Sequence, residues 1–301
     1  MTTPFFVVTP QMIDDMNFVS SSVPENDFPV YSAATTYTLG ARVIVTTGYH
    51  KVYESLIASN TGNFPPTNPT KWLEVGPTNR WAAFDQSGNT LVTATNSIEF
   101  AVTGSRFGSV GLLEIQASSV RIRASTPVDG TYYDKTYTLP DRSVVSNWYE
   151  YLYQPISKQK QFVVTDIPPI SGSTYTITVA NNGPVSLGTF VLGNKSEFGF
   201  TQYNATIGII DYSRKDVDRF GRATLTKRNF SKRMDVSVFM ESVLTDSITA
   251  KLQDLRATPA LWVAAQDSYE AMTIFGFYRD FSIDIAFPTQ TVGSLQIEGL
   301  T

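Results

Sequence analysis

The 301-residue chain has no cysteine and a single histidine, His50. Without cysteine there is no disulfide framework, so burial, association or a bound ion must hold the fold, which suits folding in a reducing cytoplasm. With one histidine a His-rich zinc site cannot be built, and a Ser-His-Asp triad has only that residue to use. His50 follows Gly48-Tyr49 in an apparent turn with no convergent partner nearby in sequence, so it is expected to be a bystander. Charge is scarce too: 17% of residues are charged, the net charge is −4 and the pI is near 5.1. That balance offers no general attraction to nucleic acid or to an anionic membrane surface.

Long apolar runs are also missing. Nothing approaches the ~20 residues a membrane span needs, so no membrane insertion is expected. The opening "MTTPFFVVTPQMIDDMNF" has no basic region before its short apolar run, unlike a signal peptide. There is no Walker loop, dinucleotide fingerprint, nucleophile elbow or D-x-D-x-D-G calcium loop. No catalytic residue, metal or cofactor is therefore assigned.

What is abundant is strand pattern and aromatic rings, and four zones separate. Residues 1–29 combine a strand-like "FFVV", a short helical turn over Gln11 to Met16 and the linker "SSSVPENDFP", which together read as an N-terminal arm. Residues 30–77 hold the candidate strands "RVIV", "HKVYESLI" and "KWLEV" around the loop "SNTGNFPPTNPT". Residues 78–200 are nearly all strand-like. In "TYTITVA", Tyr175, Ile177 and Val179 alternate with threonines, the period of a half-buried strand. About eight such strands without an intervening helix imply an antiparallel β-sandwich of jelly-roll type. Residues 201–301 add a helix with Asp246 as N-cap and Ile248, Leu252 and Leu255 on one face, stopped by Pro259. Strands around it make an α+β module, and the chain as a whole is expected to be mainly β.

The second zone carries the candidate site. Sugar rings are recognised by an aromatic face against their axial C–H surface, with polar groups at the edge reading hydroxyls. Tyr31, Tyr37, Tyr49, Tyr53, Phe64 and Trp72 supply six rings in fewer than 50 residues, more than so small a core is expected to bury. Tyr31, Tyr37-x-x-Gly40, Val43, Gly48, Tyr53 and, after a proline-containing loop, Trp72 together resemble the short chitin-binding-type carbohydrate modules. Tyr31 stands where that family usually has Trp, and one Trp replaces the common pair. The resemblance implies that Tyr37 and Tyr53 are core and that Tyr31 and Trp72 form the carbohydrate-binding platform, with Tyr49 as a third ring. The alternative is that Tyr31 and Trp72 staple the small core or dock on the next domain.

A wider resemblance covers most of the chain. "SSSVPENDFPVYSAATTYTLGARVI", "KVYESLIASNTGNFPP", "PTNRWAAFD", "GIIDYSRKDVDRFGRATLTKRNFSKR" and "IFGFYRDFSIDI" look like parts of tailed-bacteriophage tail or baseplate proteins that carry a carbohydrate module followed by a galactose-binding-like jelly roll. It implies a virion structural protein, not an enzyme, assembled in the host bacterial cytoplasm. Its implied partners are other tail or baseplate proteins, further copies of itself and a host-surface polysaccharide, and nucleic acid is not among them.

Other constellations have plainer readings. Tyr149, Tyr151 and Tyr153 in "NWYEYLYQP" alternate as they would on one sheet face, a surface for packing against a neighbour or, less simply, for a second glycan. Arg80 and Asp85 are a candidate buried pair beside Trp81 and Phe84. Asp211 to Asp235 holds eight Lys/Arg against four Asp and reads as a solvated or subunit-facing surface. Asp129, Asp134 and Asp141 lie on presumed loops; they could meet as a hydrolase pair, but turn chemistry is the expected role.

Overall fold

The computed structural model describes residues 3–85, 87–88, 90–140, 145–153, 158–265, 269–285 and 288–300. The chain is mainly β, with antiparallel sheets of nine, five, three and two strands.

The five-stranded sheet runs in the order Phe18–Ser21, Val92–Gly104, Ser173–Leu187, Ser119–Thr126, Gly130–Thr138. Its central strand shows the expected alternation. Tyr175, Ile177 and Val179 are buried and stand in register with Val102, Phe100 and Ile98 on one side and with Ala124, Ile122 and Val120 on the other. These rows pack against Val110, Leu112, Val164, Phe190 and Leu192 of the nine-stranded sheet. Two sheets whose apolar rows face each other thus form an antiparallel sandwich.

The nine-stranded sheet runs Gln161–Val164, Ser109–Leu113, Thr189–Thr201, Thr3–Pro10, Ala260–Val263, Thr273–Asp284, Gln290–Gly299, Phe230–Glu241, Thr206–Asp211. The long strand Thr189–Thr201 joins two cores. Its first half pairs with Ser109–Leu113 in the sandwich, while Phe200 and Thr201 pair with Phe239 and Val238. That last pairing closes the sheet into a ring. Inside the ring lie Phe5, Val7, Phe198, Met234, Trp262 and Ile297, and helix Thr245–Asp254 with the following Leu255 adds Ile248, Leu252 and Leu255. The helix is where its apolar spacing puts it, although Asp246 sits inside the first turn and makes no side-chain cap. The expected boundary at residue 200 runs through a continuous strand.

The N-terminal segment is not an arm. Thr3–Pro10 lies between Thr189–Thr201 and Ala260–Val263. Phe5 and Val7 face the ring interior, and Phe6 and Val8 face a second cluster with Leu113, Val191, Leu261, Val263 and Phe275. An unbroken apolar run is the signature of a strand covered on both faces. Gln11 to Met16 forms no helix, and Phe18–Ser21 joins the edge of the five-stranded sheet.

Trp148–Tyr153, expected as a strand, is a short helix. Asn147 Oδ1 accepts from the Glu150 amide (2.9 Å), and the Glu150 carboxylate accepts from the Ser146 amide (2.6 Å) and hydroxyl (2.8 Å). This reciprocal capping starts a helix and overrides the alternation of tyrosines. All three tyrosines are exposed, so they form no sheet face.

Residues 30–77 fold around the three-stranded sheet Arg42–Val45, Lys51–Ser55, Trp72–Pro77. Its core is Tyr37, Val43, Val45, Tyr53 and Trp72, with Tyr31 and Ala41 packed against it. Among the described residues, no helix is long and apolar enough to cross a membrane.

Candidate functional site: an aromatic cluster at the free end of the small domain

The two ends of the small sheet do different things. Lys51 pairs with Pro77 at one end, and Ser55 with Trp72 at the other. The Lys51 end meets the sandwich through a polar junction. His50 Nδ1 lies 2.7 Å from Glu25 Oε1, and its Nε2 lies 2.9 Å from Asp15 Oδ1. The Thr78 hydroxyl donates to Glu25 (2.8 Å), Arg80 reaches Glu25 at 3.4 Å and the Val23 carbonyl at 2.7 Å, and the Gly48 amide donates to Asp15 (2.6 Å). His50 is therefore no bystander; its partners stand 25 and 35 residues upstream, beyond local reading. The expected Arg80–Asp85 pair does not form. Arg80 goes to Glu25, and Asp85 accepts from Thr90 Oγ1 (2.6 Å) and the Ser87 amide (2.9 Å).

Tyr49 belongs to this junction and not to a sugar platform. Its hydroxyl donates to the Trp81 carbonyl (2.7 Å), and its ring meets the fully buried Trp81 edge to face at 5.4 Å. Burial, and then the charge of Asp85, push its phenol well above the usual tyrosine range.

At the free end the rings gather. Trp72 touches Tyr31 (6.0 Å) and Tyr37 (5.3 Å) edge to face, and Tyr31 stacks on Tyr37 (5.8 Å) and meets Phe64 edge to face (5.8 Å). Trp72 is only 2% exposed, and its indole donates to the Asn63 carbonyl (2.9 Å). Assigning Trp72 as an open stacking surface is therefore corrected: a domain this small spends its largest ring on its core. Tyr37 and Tyr53 are buried, in the core role the resemblance implies. Tyr31 is half-buried, and its phenol oxygen is closed from solvent with no hydrogen-bond partner among the described residues. Burial, with a smaller effect from Tyr37, raises its pKa.

The open ring is Phe64, 40% exposed beside Tyr31. Its loop is pinned. Buried Asn60 bonds to Ser55 Oγ (3.0 Å) and the Lys71 carbonyl (3.2 Å), Asn63 bonds to Asn60 (2.8 Å), and Asn68 bonds to the Phe64 carbonyl (2.9 Å). Phe64 was legible as one of six rings, but nothing in the motif separates it from the core positions. The arrangement offers one open aromatic face, an adjoining half-buried tyrosine ring and the exposed threonines Thr61 and Thr67 on the same loop.

Elsewhere, Asp134 pairs with Arg121 (2.6 Å) and Asp129 accepts from the Thr126 hydroxyl (3.0 Å), while Asp141 lies outside the described residues. Among the described residues no cluster of three or more metal-ligating side chains forms. No protein-family model matches the sequence, and no curated protein matches it.

Proposed function

We propose that the chain is a structural subunit of a bacteriophage tail or baseplate, built into a virion in the bacterial cytoplasm, and that its small domain touches host-surface carbohydrate during adsorption. The carbohydrate part rests on one observation: Phe64 stays open at the end of the domain that points away from the sandwich junction, against the half-buried Tyr31. A pyranose laid on Phe64 covers apolar C–H surface, and the exposed hydroxyls of Thr61 and Thr67 on the same loop can pair with its edge. Trp72 then serves as the support that fixes Tyr31, not as a contact. A single shallow ring binds weakly, but copies held together on a tail gain roughly 10²- to 10⁴-fold by avidity.

The test is a glycan array and a bacterial cell-wall pull-down with the full chain and with Phe64→Ala and Tyr31→Ala. Loss of retention with unchanged unfolding supports the reading. The burial of Trp72 favours a second one, a purely architectural tail subunit in which the small domain is a spacer, and absence of saccharide binding by the wild-type chain would select it.

A further inference from the structure

We infer that copies of this chain join head to tail, the basic hairpin Arg214–Val217/Ala223–Thr226 of one copy lying on the acidic, apolar rim formed by Glu241, Val243, Asp246, Asp284 and Ile285 of the next. This surface is independent of the carbohydrate reading. The hairpin is a separate two-stranded sheet, exposed on both faces along its whole length. Such a ribbon is marginal in water unless something covers it. Its tip is ordered by Asp218, whose carboxylate accepts from the Phe220 and Arg222 amides, both 2.8 Å, and Gly221 takes the positive φ of the turn. The bend thrusts Phe220 into solvent, 89% exposed, with Val217 and Leu225 exposed behind it.

Charge selects what covers it. Residues 212–229 carry six Lys/Arg against two Asp, a surplus of four, so a chain of net charge −4 leaves −8 on the remainder. Among the described residues Lys215, Arg219, Arg222 and Arg228 make no ion pair, whereas Arg214 pairs with Asp216. A surface of opposite charge stands at the far end of one strand. In Phe230–Glu241, Phe230 pairs with Asp211 beside the hairpin, while Glu241 pairs with Gln290 at the opposite end. There Glu241, Asp246 and Asp284 are exposed and, among the described residues, form no ion pair, and Val243 (90% exposed), Leu244 and Ile285 lie among them. Cationic hairpin and anionic rim each mix charge with open apolar side chains. Twelve strand residues put them roughly 35–40 Å apart, too far for one copy to satisfy itself. Different patches meeting across copies make a heterologous contact, which generates a ring when the rotation closes.

The test measures the mass of the full chain by light scattering and sedimentation over concentration, at low and at high salt. Arg219→Glu/Arg222→Glu and Asp246→Lys/Asp284→Lys change only exposed side chains, and unfolding curves verify that each folds. The wild type is expected to associate, more weakly at high salt. Each double variant is expected to lose at least ~10-fold in association constant, while the chain carrying all four changes, or a mixture of the two double variants, regains it. A wild type that stays monomeric at every concentration, hairpin variants that assemble like wild type, or reversed charges that fail to rescue would each overturn the inference. So would a monomer whose hairpin instead retains DNA or anionic vesicles.

Discussion

His50 and Trp81 lie with ring centroids 4.5 Å apart, and this contact sits over the seam between the small domain and the sandwich. The imidazole covers a fully buried indole while its two nitrogens reach Glu25 and Asp15. His50→Ala uncovers Trp81 and deprives the Glu25 side chain, 8% exposed, of one partner. A loss of about 1–3 kcal/mol is expected, read by urea unfolding followed through tryptophan fluorescence. An unchanged midpoint and slope would show that the seam does not depend on this residue.

Trp72 and Phe64 are expected to separate cleanly. Trp72→Ala empties the middle of a five-residue core and is expected to cost about 3–5 kcal/mol, enough to melt residues 30–77 locally. Phe64→Ala removes a partly exposed ring and is expected to cost under about 1 kcal/mol. Hydrogen exchange at Val43, Val45 and Tyr53 distinguishes the two, rising sharply only for the first.

The N-terminal strand is expected to behave as core. Removing residues 1–10 deletes Phe5 and Val7 from the ring interior and unpairs both neighbouring strands, so it should prevent folding where loss of a flexible arm would not. A milder probe is Gly193→Ala. A Cβ at Gly193 would meet the Thr9 carbonyl oxygen, so the strands must part. A loss of about 1–3 kcal/mol is expected, checked by thermal unfolding.

Asp85 supplies a pH dependence. Burial, its largest influence, raises its carboxyl above the ordinary 3.8, against the pull of Thr90 and Ser87. The folded chain therefore holds this proton more tightly than the unfolded chain. The associated stability is present below pH ~3.9 and is lost as pH rises through the folded value. Asp85→Asn lacks this loss. Its stability relative to wild type is expected to grow as the pH is raised from about 3 to 6, measured by urea unfolding at a series of pH values. A constant difference would contradict the assignment.

Much of the fold was legible because the patterns it rests on are local. The alternation of Tyr175, Ile177 and Val179 and the helical spacing of Ile248, Leu252 and Leu255 each follow from one element burying one face. Failures arose where distant chain intervenes. The run Phe5 to Val8 looked peripheral because its partners lie some 190 and 255 residues downstream. His50 looked idle because its carboxylates, Asp15 and Glu25, come from the N-terminal 29 residues, far from it in sequence. Trp148–Tyr153 departs from its tyrosine alternation for a different reason: the capping signal in Asn147-Trp148-Tyr149-Glu150 outweighs a period-two pattern only five residues long. In the candidate site the presence of an aromatic group was legible. Which ring stays open was not, since that depends on how the loop holding Asn60 and Asn63 wraps over Trp72.

Binding of the intact chain to purified bacterial surface polysaccharide, compared with its Tyr31→Ala/Phe64→Ala double variant in one titration, decides whether the small domain is a receptor-contact element. Saturable wild-type binding that falls at least ~10-fold in the double variant, with the variant still fully folded at the temperature of the titration, is the expected result. Equal binding by the two chains would contradict the proposed contact.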